Sequence, residues 1–303
     1  MRPRLVLVAL LVCGVASARA GDRPVPKSLV VCFDGLRADA VSSGATPAFE
    51  RLRTGGWQSG YRAFFAPRAR VIADAPSLSG PNHAAILTGV TAGRHGVTSN
   101  AASALAAVTV PDYLRLLERH DPGLVTVKLA AWPPDERLPS GADVVAIGPD
   151  ATIVARAEST LAGDVDALFL FLDGPDAAGH AEGFGGGAYL RAVRAADDAL
   201  GRLLDVVAAR QTFAHEDWQI VVTTDHGGKG RDHGGTSEAE TTIPFLVASR
   251  HASDAGDSGV RNVDVTPTVL AHFGIDPTGV FTLGTGNASY RLDGTARAPV
   301  TPR

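Results

Sequence analysis

Cysteine is nearly missing from this chain: there are two among 303 residues, and only Cys32 lies beyond the first twenty. Without those twenty residues no internal disulfide can form, so cross-links cannot hold the fold. Cys32 sits inside the apolar run Leu29 to Phe33 and reads as a buried structural thiol rather than a nucleophile. Basic charge is also scarce, with 28 lysines and arginines against 32 acids. That balance argues against holding a nucleic acid polymer through bulk charge. No internal repeat or low-complexity linker is present. After the first twenty residues no apolar run approaches the roughly 20 residues that a membrane span needs.

The N-terminus has its own logic. Arg2 and Arg4, an apolar core from Leu5 to Ala16 and the Ala18-Arg19-Ala20 site read as a secretory signal peptide over residues 1–20. Cleavage would start the chain at Gly21 and leave 25 basic residues against 32 acids, a net charge near −7. The expected location is secreted or periplasmic, with no membrane span after cleavage. Residues 21–303 read as one catalytic domain with its core at about 28–276 and a loosely structured tail.

Apolar runs of strand length alternate with helical patterns. Ser28 to Phe33, Leu124 to Leu129, Asp143 to Ile147, Ala167 to Leu172, Trp218 to Thr223 and Ile243 to Ala248 read as strands, and Val71-Ile72 suggests another. Helices are expected at Thr46-Pro47 onward, with Thr46 as N-cap, and at Pro81 to Gly89, Pro111 to His120 and Thr152 to Ala162. Two more are expected at Tyr189 to Arg210 and from Thr266 to Phe273. The long helix at Tyr189 carries a stripe of Leu190, Val193, Ala196, Leu200, Leu203, Leu204 and Val207. Continuous apolar strands alternating with helices predict an α/β fold, a mostly parallel central sheet with helices on both faces.

Chemistry gathers where the strands end. Val221 to Thr224 runs straight into Asp225, His226 and a glycine-rich stretch ending at His233, and Asp, His and His within nine residues suit Zn²⁺ or a similar ion. Asp34 follows the first strand. Asp176 and His180 follow another, four residues apart, so one helical turn or a compact loop can aim both at one ion. In open α/β sheets, ligands bind beyond the carboxyl ends of the strands. Ser79 stands just before a helix N-terminus, as either a cap or a nucleophile. His83, on the same helix, could orient that turn but is not assigned as a ligand, and the remaining histidines read as surface or packing residues.

These motifs together resemble the type I phosphodiesterase and nucleotide pyrophosphatase branch of the alkaline phosphatase superfamily. The likeness runs from about Ser28 to Phe273. It rests on Asp34-Gly35 after the first strand, Ser79-Gly80-Pro81-Asn82-His83, Asn100 twenty-one residues after Ser79, Asp176 to His180, and Asp225-His226-Gly227. The resemblance implies an alkaline phosphatase-like fold, compact and with little or no cap. It also implies two divalent ions, Zn²⁺ first and Mn²⁺ second. One ion would be held by Asp34, Asp225, His226 and Ser79, the other by Asp176, His180 and His233. Ser79 would attack phosphorus to give a phosphoserine. The amide of Asn100 and the backbone N–H of Gly80 would donate to the non-bridging oxygen, and Lys229 or Arg231 could face substrate oxygens. The expected substrate is a small phosphodiester or pyrophosphate such as a nucleotide, because Asn100 matches the diesterase pattern and no further carboxylate cluster for a third metal is evident. A phosphomonoesterase, a phosphonate hydrolase and a non-catalytic metal-binding relative are the alternatives. A sulfatase is disfavoured because its C/S-x-P-x-R motif needs Arg where this chain has His83. The chain departs from the branch in having Ser for Thr at the nucleophile and Gly80 for an aromatic residue.

Overall fold

The computed structural model describes residues 24–41, 45–253, 258–283 and 288–297. The proposed signal segment 1–20 lies outside them. Seven strands form the main sheet: β1 (Val25–Phe33), β2 (Arg62–Arg70), β3 (Thr126–Ala130), β4 (Val144–Ile147), β5 (Ala167–Leu172), β6 (Glu216–Thr224) and β7 (Thr242–Ser249). Their order is β2-β7-β6-β1-β5-β3-β4. All pairings from β6 across to β4 are parallel, while β7 runs antiparallel to β6 and to β2. The expectation of an α/β, mostly parallel sheet with helices around it therefore holds.

Strand β1 shows why the runs are continuously apolar. Leu29, Val31 and Phe33 pack on one face, against a core that includes Phe49, Ile153, Val193 and Leu200 from the helices Pro47–Arg53, Asp150–Ala162 and Gly187–Ala208. Val30 and Cys32 point to the other face, into a core with Ile86, Leu117 and Val269 from Ser79–Thr88, Tyr113–His120 and Val265–His272. With helices on both sides no face meets water, so period-two alternation disappears. Cys32 is fully buried, as expected. Among the described residues no helix is long and apolar enough to cross a membrane.

The central register is what matters for function. Phe33 is level with Leu172 on one side and with Thr224 on the other. The next residues of three adjoining strands are therefore Asp34, Asp173 and Asp225, side by side at the carboxyl edge.

Several local expectations need correction. The second strand lies at Arg62–Arg70, ahead of Val71-Ile72. Its apolar alternation is interrupted by the arginines that an edge strand carries to discourage further pairing. Thr46 takes the N-cap position of Pro47–Arg53, but its hydroxyl donates to the Val41 carbonyl. The capping acceptor comes from another helix, where the Asp197 carboxylate accepts from the Ala48 and Phe49 N–H groups. Leu190 falls outside the buried stripe of its helix. The described residues of the tail are anchored rather than loose. Phe281–Thr282 pairs with Ser289–Tyr290, Asp293 accepts from Thr91, and Arg297 bonds Asp264.

At the opposite edge from the carboxylate row, Glu216 fastens the start of β6. It accepts from Arg210, Thr212 and the Trp218 indole. Burial alone would raise its pKa, but the bonds from Arg210, Trp218 and Thr212 outweigh it and bring it down to about 2. Such a depressed group stabilises fully above the ordinary glutamate value and loses that effect as pH falls toward 2. Glu216→Gln should cost about 3 kcal/mol at pH 7. In urea melts the gap from wild type should shrink steadily between pH 4.5 and 3; a gap unchanged with pH would contradict the ion-pair account.

Candidate active site

Two ligand-like clusters lie beyond the ends of β1, β5 and β6. Asp34, Asp225 and His226 offer one ligand atom each within 4.8 Å of one another, and so do Asp176, His180 and His233. In the first, His226 Nε2 is 3.3 Å from Asp34 Oδ1 and 3.4 Å from Asp225 Oδ2. In the second, His180 Nε2 is 3.2 Å from Asp176 Oδ2, and His233 Nε2 is 3.6 Å from Asp176 Oδ1. Asp176 and His180 project from one turn of the helix Gly174–Glu182.

His233 reaches this pair because the loop after β6 folds back on itself. Lys229 and Asp232 exchange backbone hydrogen bonds around Gly230, whose φ of +64° favours glycine. The rings of His226 and His233 then stack with centroids 3.8 Å apart. Phe184 fills the space beneath, so close to Gly228 that a Cβ there would lie 2.5 Å from the ring. Lys229 and Arg231 are exposed on the outside of this turn.

Ring orientation shows what the histidines present. Nδ1 of His226 faces the Gly227 carbonyl at 2.8 Å, that of His180 the Arg231 carbonyl at 2.9 Å, and that of His233 the Ser77 carbonyl at 2.9 Å. A carbonyl only accepts, so each Nδ1 carries a hydrogen, and in the neutral ring Nε2 is left with its lone pair turned into the site. The Nε2 atoms of His180 and His233 stand 3.1 Å apart. Two lone pairs at that distance repel unless a cation lies between them.

The carboxylates make the same case. Asp34 is wholly buried, and neither of its oxygens has a hydrogen-bond partner; Oδ2 of Asp225 and Oδ1 of Asp176 are also unpartnered. Burial, then the charges of Asp225 and Asp176, push the Asp34 pKa well above the usual carboxylate range. Burial and Asp225 raise Asp176 to about 7, while burial with Asp150 and Asp225 raises Asp173 to about 6. Burial lowers His226 to about 4, so its ring is neutral at pH 7. Orphaned acid oxygens facing bare imidazole nitrogens form a donor set suited to divalent zinc or manganese.

Ser79 is the first residue of its helix, and Leu78 takes the N-cap position without any side-chain cap bond. Of the two readings left open by sequence, the cap therefore falls away. Ser79 Oγ lies 3.2 Å from His226 Nε2. Asn100 stands alongside, but one expectation fails: the Gly80 N–H donates to Asn100 Oδ1 at 2.8 Å and is not free for an oxyanion. The bond does settle the amide's orientation, leaving the Asn100 NH₂ as the free end. It also accounts for glycine at position 80, where a Cβ would meet the Ser99 carbonyl oxygen at 2.7 Å.

Two things escaped the sequence. Asp173 joins Asp34 and Asp176 in a third acidic grouping, contrary to the expectation that no further carboxylate cluster is present. Its signal was its position immediately after the ALFLFL strand, matching Asp34 and Asp225. His83 is buried behind Asp225, with Nε2 3.8 Å from Oδ2.

The model of the type I phosphodiesterase / nucleotide pyrophosphatase family matches residues 28–106 and 118–238, about two thirds of the chain. The chain belongs to this family. No sequence among curated proteins matches it. Among solved structures, it is similar to murine ectonucleotide pyrophosphatase/phosphodiesterase 5, an inactive variant in complex with AMP. The TM-score is 0.65 at 14% identity, covering 82% of this chain and 95% of that one. It is also similar to BT1596, a 2-O GAG sulfatase (TM-score 0.67, 13% identity, 91% and 74% covered). The lipoteichoic acid synthase LtaP from Listeria monocytogenes is a third (0.60, 12%, 90% and 76%). At such identities these likenesses establish the shared fold, and the family match makes this chain a phosphodiesterase/pyrophosphatase-like hydrolase of the alkaline phosphatase superfamily.

The tight approach at Gly80 yields a direct test. Gly80→Ala should push the Asn100 loop away and lower kcat by about 10²-fold, the scale of one lost oxyanion donor, while metal uptake stays as in the wild type. Unchanged kcat would show that the Asn100 amide plays no part in turnover.

Proposed function

We propose that this protein hydrolyses phosphodiester or pyrophosphate bonds of small substrates, nucleotides among them, through a phosphoserine formed on Ser79. The observation that carries this reading is Ser79 Oγ, engaged in no helix cap and 3.2 Å from His226 Nε2 of the Asp34–Asp225–His226 cluster, whose His226 ring stacks on His233 of the Asp176–His180–His233 cluster. Asp34, Asp225, His226 and Ser79 would hold one divalent cation, and Asp176, His180 and His233 a second, Zn²⁺ or Mn²⁺. When bound, such a pair supplies the positive charge that lowers the pKa of a hydroxyl nucleophile and offsets charge on the attacking and leaving oxygens.

The chain's own groups then have definable tasks. Ser79 Oγ forms the new bond to phosphorus as the bond to the leaving oxygen breaks, and water later cleaves the Ser79–phosphorus linkage. The helix N-terminus beneath Ser79 adds its partial positive charge. The Asn100 NH₂, held outward by Gly80, donates to the non-bridging oxygen as negative charge grows there, a contribution of about 2.7–4 kcal/mol. Lys229 and Arg231, exposed on the turn that precedes His233, would meet further phosphate oxygens of a substrate. The signal-like sequence of residues 1–20 supports a secreted or periplasmic enzyme.

A neutral amide at Asn100 suits the single negative charge of a diester group, which favours diester over monoester or phosphonate hydrolysis. The AMP complex of the murine relative agrees with a nucleotide-sized ligand. The fold shared with sulfatases does not extend to their motif, since His83 stands in the position of its arginine and faces inward to Asp225.

On zinc-loaded protein, bis(p-nitrophenyl) phosphate should be turned over faster than p-nitrophenyl phosphate. Ser79→Ala should lose at least about 10³-fold in kcat, as removal of an activated nucleophile does, and still take up metal. Near-wild-type turnover in that variant would refute the phosphoserine route, and a strong monoester preference would reverse the order of substrates.

A further inference from the structure

Behind the Asp34–Asp225–His226 cluster runs a buried polar chain that the proposed reaction leaves unused. Lys128 lies in the middle of β3, Asp135 in the short 3₁₀ turn Pro133–Arg137, and His83 on the nucleophile helix. All three side chains are inaccessible to solvent. Lys128 Nζ pairs with Asp135 Oδ2 at 3.1 Å, and Asp135 Oδ1 bonds His83 Nδ1 at 3.3 Å. On its other side, His83 Nε2 faces Asp225 Oδ2 at 3.8 Å and has no hydrogen-bond partner. The ring cannot swing away. Phe171 meets it at 3.7 Å between centroids and Trp132 at 5.4 Å.

The two oxygens of Asp225 differ. Oδ1 is committed, accepting from the His226 N–H at 2.9 Å and from Gly35 N–H and Thr224 Oγ1 at 3.3 Å each. Oδ2 is the one that faces His226 Nε2, and His83 stands directly behind it. Lysine and aspartate so deep in a sheet core cost several kcal/mol each to dehydrate, and apolar residues would serve stability as well or better. A network kept at that cost needs another reason. Carboxylates that ligate metals are commonly oriented by such outer partners.

We propose that His83 is a positioning residue that acts through Asp225, its Nε2 edge packed behind Oδ2 at 3.8 Å so that this oxygen stays turned toward the cation, and that Asp135 and Lys128 lock the ring in that place. The inference rests on the reading that Asp34, Asp225 and His226 hold a divalent cation. Zinc affinity, measured by competition with a chelating dye in a His180→Ala background, isolates that cluster. Added to this parent, His83→Asn keeps a group near Asp135 but withdraws the one facing Asp225. It should weaken zinc binding by about 10–100-fold. His83→Gln, whose amide reaches the Nε2 position, should retain most of the parent affinity. Asp135→Asn, which keeps its volume, should weaken binding in the same sense and covers the case in which His83→Asn fails to fold. Parent-like affinity in His83→Asn or Asp135→Asn, even with a lowered Tm, would overturn the positioning role and leave the metal reading intact. Absence of zinc uptake by the parent would remove the metal reading, and this inference with it.

Discussion

The constraint on which the molecule turns is electrostatic: three neighbouring parallel strands, β1, β5 and β6, each end in an aspartate at the same level. Asp34, Asp173 and Asp225 cannot all be ionised in a dehydrated cleft without compensation, which is why burial and mutual charge raise the pKa values of Asp34 and Asp173. Parallel topology makes this arrangement possible. It brings equivalent ends of strands distant in sequence to one edge, where helix N-termini and loops complete a site.

The surrounding backbone is shaped to let the two clusters approach each other. Gly35 has a φ of +66°, and a Cβ there would lie 2.7 Å from Asp176 Oδ1. The turn after β1 thus brings the Asp34 segment against the helix that bears Asp176 and His180. On the opposite side, Ser77 accepts from His233 through its carbonyl and bonds both Gly234 and Gly235 through its hydroxyl. The segment leading into Ser79 and the loop carrying His233 therefore form one unit. Ser79 and a histidine more than 150 residues away are held in fixed relation by a few bonds made just outside the site.

Much of this was legible in the sequence, for identifiable reasons. The strands β1, β5, β6 and β7 could be read because burial on both faces demands unbroken apolar runs. Asp34, Asp176, His180, Asp225 and His226 could be singled out because acids and histidines at the ends of such runs have few structural explanations, and Ser79 because it stands at the start of a helix. Edge strand β2 was obscured by its arginines. Asp173 drew no assignment, since its role depends on the register between strands, which no single segment reveals. His83, Asp135 and Lys128 come from three separate elements, and only packing shows that they form a chain. The cap of Pro47–Arg53 was misplaced for the same reason, because Asp197 supplies it from another helix.

The account's central claim is that the strand-end row is built to be neutralised by two cations. Anomalous diffraction at the zinc edge from zinc-loaded crystals tests it most directly. Two peaks about 4 Å apart are predicted. One should lie about 2.0–2.2 Å from ligand atoms of Asp34, Asp225 and His226, and the other at the same range from Asp176, His180 and His233. A single peak, or zinc bound away from these strand ends, would contradict it.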